Sequence, residues 1–331
     1  MIIRDKPNAF KLFFVLKGSV VPTIAPQILF SALVGLFAYL AHSHFLNYLP
    51  NLTVTPFILL GVTLSIFLGF RNRASYERWW EARKLWGQLI IDTRSLARQI
   101  QTYAWVKDTS EEDIGDNESR LNTTNEFDEI TFQCKARQKR FVQLAISFSH
   151  ALRHHLRGTD YNDDVHQFLS AEDLNRLNKV RHKPNFILNL MGEELQQMLQ
   201  KEFISEISAR NLEERLTSLS FILAACERIR NTPLPFAYNL LLHRTAYIYC
   251  FCLPFGLVTS IGIMTPFVTA IIAYTFFGLD ALGEELEDPF GTSAHDLALT
   301  TMSHSIEVNL LETLNEENLP DPLKPNGYYH A

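Results

Sequence analysis

The stretch GVTLSIFLGFRNRASYERWWEARKLWG, from Gly61 to Gly87, changes character at its middle. No charge occurs up to Phe70. From Arg71 onward come Arg71, Arg73, Glu77, Arg78, Glu81, Arg83 and Lys84, with Trp79, Trp80 and Trp86 among them. No proline interrupts the change, so one helix is expected to run from an oily environment into a wet one. Arginine and tryptophan at such a boundary are what a membrane–water interface favours.

Working outward, the same segregation governs the whole chain. Its 331 residues are 47% apolar with a mean hydropathy of −0.01, which on average resembles a soluble protein. Yet no Asp, Glu, Lys or Arg occurs between Lys17 and Arg71, or between Arg244 and Asp280. A membrane-spanning helix needs about 20 apolar residues. Four spans are therefore expected, at residues 20–46, 53–70, 236–258 and 261–282. Pro50 with Asn51 makes the first turn, and Thr259 with Ser260 the second. Basic residues flank the spans on one side only: Arg4, Lys6, Lys11 and Lys17, then Arg71 to Lys84, then Arg215, Arg228 and Arg230. The positive-inside bias places both termini and the centre in the cytosol.

The centre carries as many acidic as basic residues, so it is not a nucleic-acid footprint. After Arg244 the chain is acidic, with one basic residue, Lys324. Helical spacing marks residues 76–103, 141–156, 192–203 and 211–229, and no run alternates as a strand does. The stretch 107–131 is polar and acidic and reads as a flexible insertion. The tail from Asn315, with Pro320, Pro322 and Pro325, reads as extended or disordered. The expected layout is a cytosolic N-terminus with two spans (1–70), a helical cytosolic domain (71–230), two spans (231–282) and a cytosolic C-terminal segment (283–331).

Val62, Ile66 and Phe70 lie four apart and share one helix face. Periodicity alone leaves open whether that face meets lipid, a neighbouring helix or a pore. FLGFRNRASYERWWEARKLWG, however, resembles the second-helix signature of the bestrophin ion channels. NTPLPFAYNLLLHR, the PFG at Pro254–Gly256 and the DPFG at Asp288–Gly291 resemble later landmarks of that family in the same order. The resemblance covers roughly residues 1–315 apart from 107–131 and is nearest to the bacterial members. It implies an all-α membrane protein, a homopentamer around one axial pore, with four membrane helices per subunit continuous with a helical cytosolic region. It implies a passive ion channel of the bacterial inner membrane, whose partners are monovalent ions, the lipid bilayer and further copies of itself.

The resemblance places the apolar pore neck on Val62, Ile66 and Phe70. A ring of apolar side chains offers water no partners and gates by dewetting. It also implies a second constriction at the cytosolic exit, which ungapped counting back from Pro235 places at Ile207 with Glu206 beside it. A carboxylate ring there attracts cations. With the acidic tail, it leads to the expectation of a Na+/K+-permeable channel; an anion (chloride) channel of the same fold is the alternative. Calcium-activated members carry a dense acidic run after the DPFG-like landmark, whereas here DPFGTSAHDLAL leaves only Asp296. Calcium activation is therefore not expected. Glu284, Glu285 and Glu287, which precede the landmark, and Asp288, its first residue, are the remaining candidates for a metal.

The other candidates are weaker. His150 and His154 are four apart, but the local sequence supplies no third ligand, and packing or surface roles are expected for them. His42 and His44 lie near the outer end of the first span. Cys250 and Cys252 point to nearly opposite helix faces, and the four cysteines form no framework. No cofactor and no metal centre are expected. Phosphate loops, HExxH and GxSxG are all absent, so no enzyme is expected. A secondary transporter would place a charged solute site at mid-membrane, where this chain has no charge. A non-conducting membrane scaffold is the remaining rival.

Overall fold

The computed structural model describes residues 1–2, 10, 15–16, 18–44, 53–106, 117–161, 163–324 and 327–329. Among these the chain is helical, with no strand. The helices are α1 (Val21–His44), α2 (Thr55–Tyr103), α3 (Asn117–Arg157), α4 (Asp163–His166), α5 (Ala171–Leu177), α6 (Lys183–Gln200), α7 (Glu206–Asn231), α8 (Phe236–Ile261), α9 (Thr265–Glu287) and α10 (Leu299–Thr313). They form two compact units. One comprises Met1–Glu81 and Asn231–Leu297; the other comprises Ala82–Arg230 and Ala298–Ala331. They are called here the apolar and the polar unit. The first boundary falls inside α2, eleven residues beyond the expected end of the second span at Phe70.

Among the described residues, three segments are long and apolar enough to cross a membrane: Val21–Ser43, Thr55–Tyr103 and Phe236–Glu287. The last consists of α8 and α9, joined by the 3-10 turn Gly262–Met264. That turn lies slightly later than the expected one at Thr259 and Ser260. Both of those residues are still helical, because the chain reverses only at Gly262, whose φ of 53° favours glycine. Pro266 in the first turn of α9 then starts the next helix, where a missing N–H costs nothing. The expected turn at Pro50 and Asn51, and Arg4, Lys6, Lys11 and Lys17, lie outside the described residues.

The apolar unit is cored by Ile24, Leu64, Leu68, Leu242, Tyr249, Leu253, Phe276 and Phe277. Its outer surface carries Leu29, Phe37, Leu241, Phe267 and Ile271, all exposed. Three of its hydroxyls bond within their own helices: Thr63 to the Leu59 carbonyl, Thr245 to Leu241 and Thr275 to Ile271. That is the arrangement a hydrocarbon solvent demands, since it offers no partner of its own.

The polar unit is cored by Trp86, Leu89, Leu96, Phe141, Phe148, Ile187, Leu212, Leu219, Ile306 and Leu310. Buried ions are common in it. Asp92 accepts from Ser218 at 2.6 Å and from Arg215 at 3.4 Å. Glu194 holds Arg137 at 2.8 Å and Arg140 at 3.1 Å. Of the C-terminal segment, residues 298–331 belong to this unit, and α10 lies at their start. Arg157 donates to Thr300 at 2.6 Å and Arg153 to Ser303 at 2.9 Å, fixing α10 on α3. The stretch 107–131, expected to be flexible, is described from Asn117 on as the start of α3; residues 107–116 lie outside the described set.

Candidate ion pathway

Residues of α2 in the apolar unit divide cleanly by face. Gly61, Leu64, Leu68, Arg71 and Ser75 are buried. Their spacing of three and four makes one stripe, which packs on α8 and α9 through Tyr249, Leu242 and Phe276. At Gly61 a side chain has no room, since a Cβ there would stand 2.6 Å from the Tyr249 hydroxyl. Val62, Ile66 and Phe70 fall on the opposite side, 55%, 52% and 62% exposed. The apolar stripe is therefore left uncovered within one chain. Composition could not distinguish these faces, because α2 is oily all round in this stretch.

Where α2 turns charged, its side chains tie down the end of α9 and the loop after it. Arg71 is 5% exposed and donates to both the carboxylate and the backbone carbonyl of Asp280. His243 meets the other carboxylate oxygen at 2.8 Å. Arg78 donates to the Glu287 carbonyl at 3.1 Å, and the Trp79 indole N–H to the His295 carbonyl at 3.0 Å. Tyr76, Trp79 and Trp80 stack in sequence. The YERWW signature thus holds the chain on either side of the DPFG landmark, at Glu287 and His295.

The acidic candidates before DPFG divide in their roles. Glu287 accepts from the Leu234 N–H and the Asn239 amide, each at 3.0 Å. Glu284, Glu285 and Asp288 line a cavity of about 340 Å³ together with Thr23, Ser293 and Asp296. Glu285 faces His295 at 3.1 Å. Asp296 accepts from the Ser293 N–H at 2.6 Å; burial, then the nearby Asp288 and Glu285, push its carboxyl above the usual range.

In the polar unit, Glu206 and Ile207 open α7. Both are exposed, Ile207 at 76%, so neither is part of the core. His150 and His154 are buried, and their partners could not be read from the neighbouring sequence. His150 meets Glu307, 157 positions away, at 2.9 Å. His154 meets Asp164 at 3.1 Å and Thr159 at 2.7 Å. Arg153 also pairs with Asp164. Burial alone would raise the Asp164 carboxyl, but the His154 hydrogen bond and the Arg153 charge outweigh it and hold it well below the usual range.

The family model for the bacterial and fungal bestrophin proteins matches residues 1–312. The chain belongs to the bestrophin family. Bestrophins of this branch are ion channels set in a membrane by apolar helices, which is not an enzyme class. A voltage-dependent anion channel-forming protein of Mesorhizobium japonicum is 43% identical over all of this chain and 97% of its own. The voltage-dependent anion channel-forming protein YneE of Escherichia coli K12 is 38% identical over 99% of each. Among solved structures, a bacterial bestrophin homologue from Klebsiella pneumoniae is 37% identical. It matches 89% of this chain and all of that one, with a TM-score of 0.77. Of the bestrophin landmarks quoted from the sequence, the arginine and tryptophan of YERWW join α2 to the end of α9 and the loop after it.

Proposed function

We propose that five copies of this chain surround one pore that passes monovalent ions passively across the bacterial inner membrane. Each copy crosses four times, with α1, the first part of α2, α8 and α9, and keeps both termini in the cytosol. The observation that carries this reading is the uncovered stripe of Val62, Ile66 and Phe70, opposite the face of α2 that the apolar unit buries. Further copies would close that stripe into a narrow apolar neck, wetted when open and dry when shut. Ile207, exposed at the start of α7, would form the exit constriction beside a ring of Glu206 carboxylates.

Sodium or potassium is the proposed cargo, since the neck carries no charge and Glu206 would supply a negative ring beside Ile207. The names of the relatives favour a second reading, an anion channel of the same fold. Calcium control is not part of the proposal, because only Asp296 follows the DPFG landmark where calcium-activated members are densely acidic. The deciding experiment is a planar-bilayer recording of purified protein under a sodium chloride gradient. Reversal near the sodium value supports the cation reading, and reversal near the chloride value transfers the proposal to anions. Ile66→Ala is expected to raise current severalfold at equal incorporation. An unchanged current removes Ile66 from the gate, and silence in both wild type and variant leaves a scaffold.

A further inference from the structure

Three side chains of the polar unit converge away from the residues described so far. His155 stands in the last turns of α3, His182 caps the start of α6, and Glu227 lies about one turn before the end of α7. Nε2 of each histidine is 2.6 Å from the same atom, Glu227 Oε1. The two rings lie 4.8 Å apart with a tilt of 37°. All three candidate ligand atoms fall within 4.8 Å of one another. None of the three is fully buried, so an ion can reach them from solvent.

We propose that His155, His182 and Glu227 bind a divalent transition-metal ion of the zinc class, with a fourth position open to water. Two imidazoles and one carboxylate are a donor set zinc accepts in four-coordinate sites. The same set disfavours calcium and magnesium, which take oxygen ligands. Donors about 2.0–2.1 Å from a tetrahedral ion stand roughly 3.3 Å from each other. Entry of the ion therefore opens each 2.6 Å contact by roughly 0.7 Å, within the reach of partly exposed side chains.

Proton placement is compatible with binding. Neutral imidazole is the form that ligates. His182 Nδ1 accepts from the Asn185 N–H at 3.3 Å, so its proton sits on Nε2 facing Glu227. On metal binding that proton moves to Nδ1, and the Asn185 N–H is released to water. Any Nε2 proton facing Glu227 must leave that atom before the ion binds there, so uptake competes with protons. Arg230, bonded to the His155 carbonyl, adds a positive charge beside the ion. That favours an exchangeable site over a permanent one. The ion would tie together the ends of three helices, including the end of α7 opposite Glu206 and Ile207.

The test is zinc chloride titration of the purified full-length chain in detergent, followed by calorimetry, with cobalt(II) absorption as a second reading of ligand geometry. Neither readout depends on ion conduction. Wild type is expected to bind one zinc per chain at this site. His182→Asn removes one imidazole while keeping a good helix cap. His155→Gln removes the other. Each is expected to weaken zinc by more than the about 10–100-fold cost of losing a mere supporting partner, with unchanged elution in size-exclusion chromatography. Zinc binding in both variants equal to wild type overturns the site, as does wild type that takes up no zinc.

Discussion

The two units bury charge in opposite ways. In the apolar unit the buried acids among the described residues are Asp280 and Asp296, and the one buried guanidinium, Arg71, is paired with Asp280. The polar unit buries Asp92, Asp173, Glu194 and Glu307; His150 pairs with Glu307, and the buried Arg153 and His154 pair with Asp164. A helix layer surrounded by lipid gains nothing by hiding oily side chains from its solvent, so its outside stays oily and its few ions sit near an interface. A helix layer in water must collect its oily side chains inside. Long polar side chains then close over the core with charges at their tips.

That contrast is open to direct challenge. The largest effect is expected from Arg71→Ala, which strands the Asp280 carboxylate where little water reaches it. The cost should be about 3–5 kcal/mol, read as loss of folded protein in detergent by fluorescence-detected size-exclusion chromatography. Normal yield and melting would mean that Asp280 is hydrated after all. Asp164→Asn in the polar unit should cost less, about 1.5–3 kcal/mol for hydrogen bonds to charged groups, and the cost should depend on pH. The folded carboxyl lies below its unfolded value. Its contribution is therefore complete above about pH 3.9 and declines as pH falls below that toward the folded value. Melting curves of wild type and variant should converge under acid; a constant gap would assign the effect to packing instead. The smallest effect is expected two residues from Arg71. Arg73 pairs with Glu77 at 2.9 Å in full exposure, and Arg73→Ala should shift stability by no more than about 0.5 kcal/mol. A large loss there would show that this turn is covered by something other than solvent.

What the sequence disclosed followed the same division. Charge-free runs located the starts of the apolar helices to within a few residues, because one missing residue class reports the solvent directly. The continuity of α2 through Arg71 was legible for the same reason: nothing in FRNRASYERWW stops a helix. Which side of α2 is covered was not legible from spacing, since Val62, Leu64, Ile66 and Leu68 are equally oily and only the Tyr249 and Phe276 contacts tell them apart. In the polar unit, pairings across long chain separations stayed hidden. The Glu307 carboxylate reaches His150 only when α10 brings it back, and Ser218 reaches Asp92 only from α7. The set of His155, His182 and Glu227 is spread over three helices and leaves no spacing to read. Short helices α4 and α5 escaped because neither is long enough to show a period.

Gly61 has a consequence of its own. It is a spacer with no side chain, seated where the Tyr249 hydroxyl leaves no room for a carbon. The angular setting of α2 about its long axis is therefore keyed by an absence on the rear of the helix, while the Val62, Ile66 and Phe70 stripe looks out from the front. Any side chain at position 61 must either displace the tyrosine or turn the helix, and turning it swings the whole stripe sideways at once. The aperture of the proposed neck is thus held in part by a residue that never touches an ion, and heredity can retune it there without altering a single lining side chain.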